Sequence, residues 1–186
     1  MRFSSLLMAV LAASLIPAAQ ADTPLIPAKS EIRFGFKQMN VPVEGTFKKF
    51  TGTFDFDPAK PEAGKADLQI DLGSIDLGSP EGETEAKGKT FFNIAAFPQA
   101  RFVASGFKPL GNNRYQVSGK LTIKGISRDI HAPFTVKPEA GGFTTEGTVT
   151  IQRLAFKIGE GDWADEASLS NDVQVKFKLA LAKKTS

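Results

Sequence analysis

The feature that most constrains this chain is its period of two. Apolar and polar residues alternate in segment after segment, and only a β-strand points successive side chains to opposite faces. Glu31 to Lys37 alternates strictly, with Ile32, Phe34 and Phe36 on one face. Val43 to Asp57 reads as one long strand carrying Phe50, Gly52, Phe54 and Phe56 on one side, ended by Asp57-Pro58. Ala66 to Leu72 sets Leu68, Ile70 and Leu72 against Asp67, Gln69 and Asp71. Further strands follow at Arg101 to Phe107, Arg114 to Lys124, Ser127 to Val136, Phe143 to Arg153 and Asp172 to Leu181, with turns at Gly111-Asn112-Asn113, Gly125 and Gly141-Gly142. About eight strands at meander spacing, with no βαβ pattern, predict an all-β, antiparallel barrel or sandwich.

One stretch breaks the period. Residues 79–107 open on Ser79-Pro80-Glu81, which suits a helix start: Ser as the cap, Pro at the first helical position, acids in the first turn. Glu83 with Lys87 and Glu85 with Lys89 add weak i,i+4 support. Gly82 and Gly88 argue against a long helix, at roughly 1 kcal/mol each relative to Ala. Phe91, Phe92, Ile94 and Phe97 then follow with no strand period, and Pro98 ends the segment. The expectation is a short polar helix and an aromatic plug that closes one end of a barrel or lies across its mouth.

The N-terminus is read as an address. Arg2, the apolar run Leu6 to Ile16 and the small-x-small site Ala19-Gln20-Ala21 make residues 1–21 a secretory signal peptide, leaving 22–186 as one barrel domain, periplasmic or secreted. The apolar run is shorter than the ~20 residues a spanning helix needs. The chain has no Cys, so neither disulfides nor thiolate chemistry enter. A net charge of +3, with no Lys/Arg run, gives no reason to invoke nucleic acid. Asp and Lys fill the faces opposite the Phe residues, and the C-terminus lacks a terminal aromatic strand residue. Both favour a soluble barrel over a membrane-spanning one. Phe is abundant, 16 residues against one Trp and one Tyr, which suits a barrel interior that is either packed or holds one small ligand.

Catalytic patterns are missing. His131 is the only histidine and alternates outward; no G-x-S-x-G elbow is present. Paired acids such as Asp67 and Asp71 lie on polar faces, and Gly159-Glu160-Gly161 has neither the Lys nor the helix of a phosphate loop. Arg153 falls on the inward parity of its strand. Either the strand has ended and Arg153 turns to solvent, or it is a cation at the mouth, pairing with an acidic head group or with Asp172; Lys87 and Lys89 are weaker candidates for that role. Trp163, in the loop 157–170, is a lid or an ordinary anchor. A thiol-free barrel lined by Phe and aliphatics, with a plug and no catalytic set, has the profile of a non-enzymatic carrier of an apolar small molecule.

Several segments together resemble one family. Ser74-Ile75-Asp76 is similar to an S-[VI]-D motif, Phe92-Asn93 and Phe97 to Phe102 to F-x-[DN]-x-x-x-[YF]-P-x-x-x-F, and Gly119 to Arg128 to G-x-L-T-[IL]-x-G-V-[ST]-[KR]. Val43 to Asp57 and the set Arg153, Phe156 and Ile158 match as well. From about residue 30 to 181 the chain resembles the YceI-like family of bacterial lipocalin-like, polyisoprenoid-binding proteins. It departs at the helix, where Gly82-Glu83-Thr84-Glu85-Ala86 stands in place of Arg-Asp-x-His-Leu. The resemblance implies an eight-stranded antiparallel lipocalin-like barrel whose channel holds a lipid tail, with polyprenyl phosphates, quinones or fatty-acid derivatives as ligands and no enzymatic activity.

The expected channel lining is Phe34, Phe36, Phe54, Phe56, Leu68, Ile70, Phe92, Phe97, Phe102, Tyr115, Val117, Ile123, Val149, Ile151, Val175 and Phe177, with Arg153 and Trp163 near the mouth. Parity cannot separate channel from plain core. No cofactor is expected beyond a bound lipid such as polyprenyl phosphate or ubiquinone. The partner is a small lipophilic ligand, and a channel selecting by burial would also admit lipophilic antibiotics. A homodimer through strand edges or lid aromatics stays open. The rival readings are an accessory of quinone or cytochrome electron transfer, and a structural barrel with a fully packed core.

Overall fold

Alternation and turn chemistry produce one continuous antiparallel sheet. A computed structural model describes residues 23–183, so the signal-peptide assignment lies outside the described residues. The strands are β1 (Glu31–Gln38), β2 (Val41–Phe47), β3 (Phe50–Asp55), β4 (Lys65–Asp71), β5 (Ile75–Asp76), β6 (Gln99–Gly111), β7 (Arg114–Ile123), β8 (Ile126–Glu139), β9 (Gly142–Gln152) and β10 (Asp172–Ala182); the helix α1 spans Pro80–Lys87. The sheet runs β3-β4-β6-β7-β8-β9-β10-β1-β2-β5 and curls into a half-barrel around the apolar faces. This is the lipocalin-like fold expected, with ten strands rather than eight.

Two causes account for the difference. The segment expected as one strand from Val43 to Asp57 divides at Lys48-Lys49. There the chain leaves β2, near one end of the sheet order, and enters β3 at the other. The backbone groups freed by the break are bonded across it: Lys48 N–H donates to the Ser74 carbonyl and Asp71 N–H to that of Lys49. The second cause is β5, a two-residue strand that pairs Thr46 with Asp76 and Phe47 with Ile75.

Glycines on the inner wall make room for the rings. A Cβ on Gly147 would stand 2.4 Å from the ring of Phe177, its cross-strand partner, and one on Gly45 2.4 Å from the ring of Phe34. At one end of the half-barrel the rings meet. Phe56 lies 4.9 Å from Phe107, 5.4 Å from Tyr115, 5.7 Å from Phe134 and 5.9 Å from Phe143, centroid to centroid. The Tyr115 hydroxyl donates to the Pro58 carbonyl at 3.1 Å, which satisfies its polar tip. At the other end lie α1, the segment after it and the loop 157–170. Ser79 caps α1 by accepting from Gly82 N–H.

Candidate functional site: an apolar channel with a polar outlet

The interior between these ends is not filled. A cavity of about 140 Å³ lies toward the Phe56 cluster, and one of about 480 Å³ toward α1. They share Ile32, Ile70, Leu121, Ile151 and Val175 as common walls, so they adjoin as two chambers of one apolar interior with an aliphatic waist between them. The inner chamber is lined by Phe54, Phe56, Leu68, Phe102, Val117, Val149 and Phe177, among other apolar side chains. The outer chamber takes in Phe34, Phe36, Phe92, Ile123, Arg153 and Trp163. Its lining turns polar at Gln38, Glu81 and Glu85, and the two glutamates are exposed; this is the outlet to water.

Two of the expected residues stand elsewhere. Tyr115 is 7% exposed and belongs to the ring cluster, outside both chambers. Phe97 rests on the β7–β8 turn, 3.2 Å from where a Cβ on Gly125 would be. The plug is therefore built by Phe91 and Phe92. Phe91 meets Trp163 edge-on at 5.6 Å, and Phe92 meets Phe47 edge-on at 6.1 Å.

The helix takes part in the lining through its smallest residues. Gly82 and Ala86, four apart on one face, look into the outer chamber beside Glu81 and Glu85. Gly82 weakens the helix, yet it leaves space in the channel. Leu72, on the apolar face that the alternation gave it, also lines this chamber, as do Leu77 and Leu169, none of the three being among the expected lining. Leu169 sits in the loop 157–170, where no periodicity points to it.

The strand does end before Arg153, at Gln152, but the side chain is 2% exposed and does not turn to solvent. Its guanidinium donates to five backbone carbonyls instead: Ser170 from Nε at 3.0 Å, Ile158 and Gly159 from Nη1 at 2.9 and 2.8 Å, and Trp163 and Leu169 from Nη2 at 2.6 Å each. Those are all the donors the group has. Burial draws its pKa downward, and the charge of Glu166 opposes that. Arg153 is a clamp that gathers the loop 157–170, two of whose residues, Trp163 and Leu169, wall the outer chamber. Its donors are committed and are not available to a head group. Lys87 stands 3.8 Å from Glu83, a loose i,i+4 pair.

Among the described residues, the carboxylates in the channel lining are Glu81 and Glu85 at the outlet. His131 lies exposed on the outer wall, its Nδ1 2.8 Å from the hydroxyl of the half-buried Ser118. Among the described residues no group of three His, Cys, Asp or Glu is placed to hold a metal, and no helix is long and apolar enough to cross a membrane.

Comparison with known proteins agrees with this geometry. The model of the YceI-like domain matches residues 24–181. A UPF0312 protein of Pseudomonas savastanoi pv. phaseolicola is 32% identical over 143 residues, 73% of this chain and 72% of that protein. Protein YceI of Salmonella arizonae is 28% identical over 138 residues, 70% and 72% of the two chains. The crystal structure of BcnA from Burkholderia cenocepacia superposes with a TM-score of 0.82 at 43% identity, covering 86% of this chain and 99% of BcnA. A polyisoprenoid binding domain from Saccharophagus degradans shares the fold, with a TM-score of 0.71 at 18% identity over 88% and 99% of the two chains. With residues 24–181 matched, nearly all its described length, this chain belongs to the YceI-like family.

Proposed function

We propose that this protein is an exported, non-enzymatic carrier that holds the apolar tail of a small lipophilic molecule in its channel, with the polar head at the Gln38–Glu81–Glu85 outlet. The observation that carries this reading is the two-chambered apolar interior, whose lining turns polar at Gln38, Glu81 and Glu85. A barrel with a fully packed core would have no such channel. Each methylene buried contributes about 0.8 kcal/mol, so about ten supply on the order of 8 kcal/mol before ordering costs. That gain depends on area and not on chemical identity. Isoprenoid, quinone and fatty-acyl tails are all suitable cargo, and lipophilic antibiotics would be sequestered by the same walls.

The test is native mass spectrometry of the protein taken from its own compartment, followed by solvent extraction of what it carries. The expected result is a lipophilic adduct that a fluorescent fatty acid displaces. A clean mass, with no uptake of added lipids, would sink the carrier reading and leave a structural module. Failure of hydrophobic antibiotics to displace the probe would remove the sequestration part alone.

A further inference from the structure

Two apolar side chains stand in water beside the outlet. Met39 is 70% exposed and Val41 61%. They form the tip of the β1–β2 hairpin, whose turn residues Met39 and Asn40 both have left-handed backbones, at φ 48° and 62°. A two-residue turn of that kind favours Asn, Asp or Gly at its centre. Met fits poorly on two counts, since an unbranched apolar residue gains nothing from left-handed φ and its side chain is in solvent. Folding gives no reason for it.

Its position supplies one. Val41 stands across from Gln38, and Val43 across from Phe36. Residues directly opposite in an antiparallel pair share a face. Phe36 and Gln38 line the outer chamber. The face that forms the channel wall thus continues outward through Val43 and Val41, and Met39 stands in the turn next to them. The tip is also held in place: Met39 N–H donates to the Ser168 carbonyl at 2.9 Å, and Gln38 bridges to Leu169, itself a channel residue.

We propose that this tip docks on a lipid bilayer. Met39 and Val41 enter the headgroup boundary, set the outlet against the membrane, and let cargo pass between bilayer and channel without crossing water. The proposal rests on the carrier reading. Its physical basis is that a tail crossing water exposes every methylene at once, whereas direct contact does not. The exposed charges that line the outlet are the carboxylates of Glu81 and Glu85. The favoured surface is therefore zwitterionic, and anionic lipid opposes docking.

The test uses Met39→Asn combined with Val41→Thr. Asn suits the turn and Thr the strand, so this variant keeps its melting temperature. A fluorescent fatty acid is loaded and its transfer to phosphatidylcholine vesicles is followed. The wild-type rate is expected to rise in proportion to vesicle concentration and to fall when phosphatidylglycerol is added. The variant is expected to transfer about tenfold more slowly, with no dependence on vesicle concentration and the same equilibrium affinity for the probe. Probe binding with a wild-type rate independent of vesicles overturns docking and leaves the carrier reading standing. A concentration-dependent dimer that the variant abolishes gives the tip to a second copy and overturns the lipid assignment. No probe binding by the wild type overturns the carrier reading and docking with it.

Discussion

The two ends of the half-barrel use the same residue type for opposite purposes. At one end Phe56, Tyr115 and Phe134 are almost fully buried, and four neighbouring rings lie within 6 Å of Phe56. At the other, Phe91, Phe92 and Trp163 are only partly buried, and each makes a single edge-on ring contact around an unfilled chamber. The rings of the closed end hold one another in place and wall only the smaller chamber, whereas Phe91, Phe92 and Trp163 stand apart around the larger one. Aromatic content alone therefore says little about binding; how the rings are packed says more.

The largest expected effect comes from breaking the closed end. Phe56→Ala removes the ring on which the cluster converges and leaves a cavity at a site hemmed in by rigid rings. A loss of about 3 to 5 kcal/mol is expected, which for a chain of this size is a fall in Tm of roughly 6 to 20 °C. Thermal unfolding followed by circular dichroism measures it. A loss below about 1 kcal/mol would mean that the end is loosely packed, and the contrast between the two ends would go with it.

Next comes the clamp at the open end. Arg153→Met keeps much of the apolar stem but leaves five carbonyls without their donor. Water reaches some of them, so the expected loss is about 2 to 4 kcal/mol, concentrated in the loop 157–170. Arg153→Lys is not expected to rescue it, since an ammonium has three donors and no planar fork. Amide hydrogen exchange should show faster exchange across Ile158 to Ser170 while the strands around Phe56 keep their protection. Uniform acceleration across the barrel would show that Arg153 supports the whole fold rather than the outlet.

Much of the architecture was legible because alternation is a local signal. The strand segments, the Ser79-Pro80 helix start and the aromatic plug all follow from residues within a turn or two of each other. The misses come from breaks in parity. Phe47 and Phe50 are three apart, yet both pack inward, because Lys48-Lys49 ends one strand before the next begins. Phe102, Ala104 and Phe107 also share the inner side, since the β6–β7 register shifts between Ala104 and Gly106. The mismatched spacing was visible in the sequence as a signal of a break and a bulge. Arg153 carried no comparable signal. Its partners are carbonyls, which every residue has, gathered by a loop without period. Phe97 and Tyr115 had the right chemistry for a channel, and only their neighbours decide otherwise.

The smallest effect expected is an acid-dependent loosening confined to the open end. The Asp165 carboxylate accepts from the Ser168 hydroxyl at 2.8 Å and from the Ser168 and Ala167 N–H groups at 3.2 Å each. The Ser168 hydroxyl first, then the Ala167 amide, hold its pKa below the ordinary Asp value of 3.8. A carboxyl depressed in the folded state contributes above its unfolded pKa, and that contribution is lost as pH falls through the folded value. The turn that seats Leu169 and Ser170 is therefore intact at neutral pH and loosens only below about pH 4. Wall carboxylates such as Asp67 are held low in the same direction, by the hydrogen bond from Arg101, but solvent screens these partly exposed pairs. The cluster around Phe56 is held by ring contacts, with the Asp57 and Glu139 carboxylates bonded only at its margin, to the Ala59 amide and the Thr144 hydroxyl. The chain's only Trp, Trp163, lies in the loop and its only Tyr, Tyr115, in the ring cluster, so each end carries its own reporter. On acid titration the Trp163 emission should shift to the red below pH 4 while the near-ultraviolet dichroism of Tyr115 holds. A Trp163 shift between pH 5 and 7, or one that coincides with loss of the Tyr115 signal, would show that the two ends are not independent.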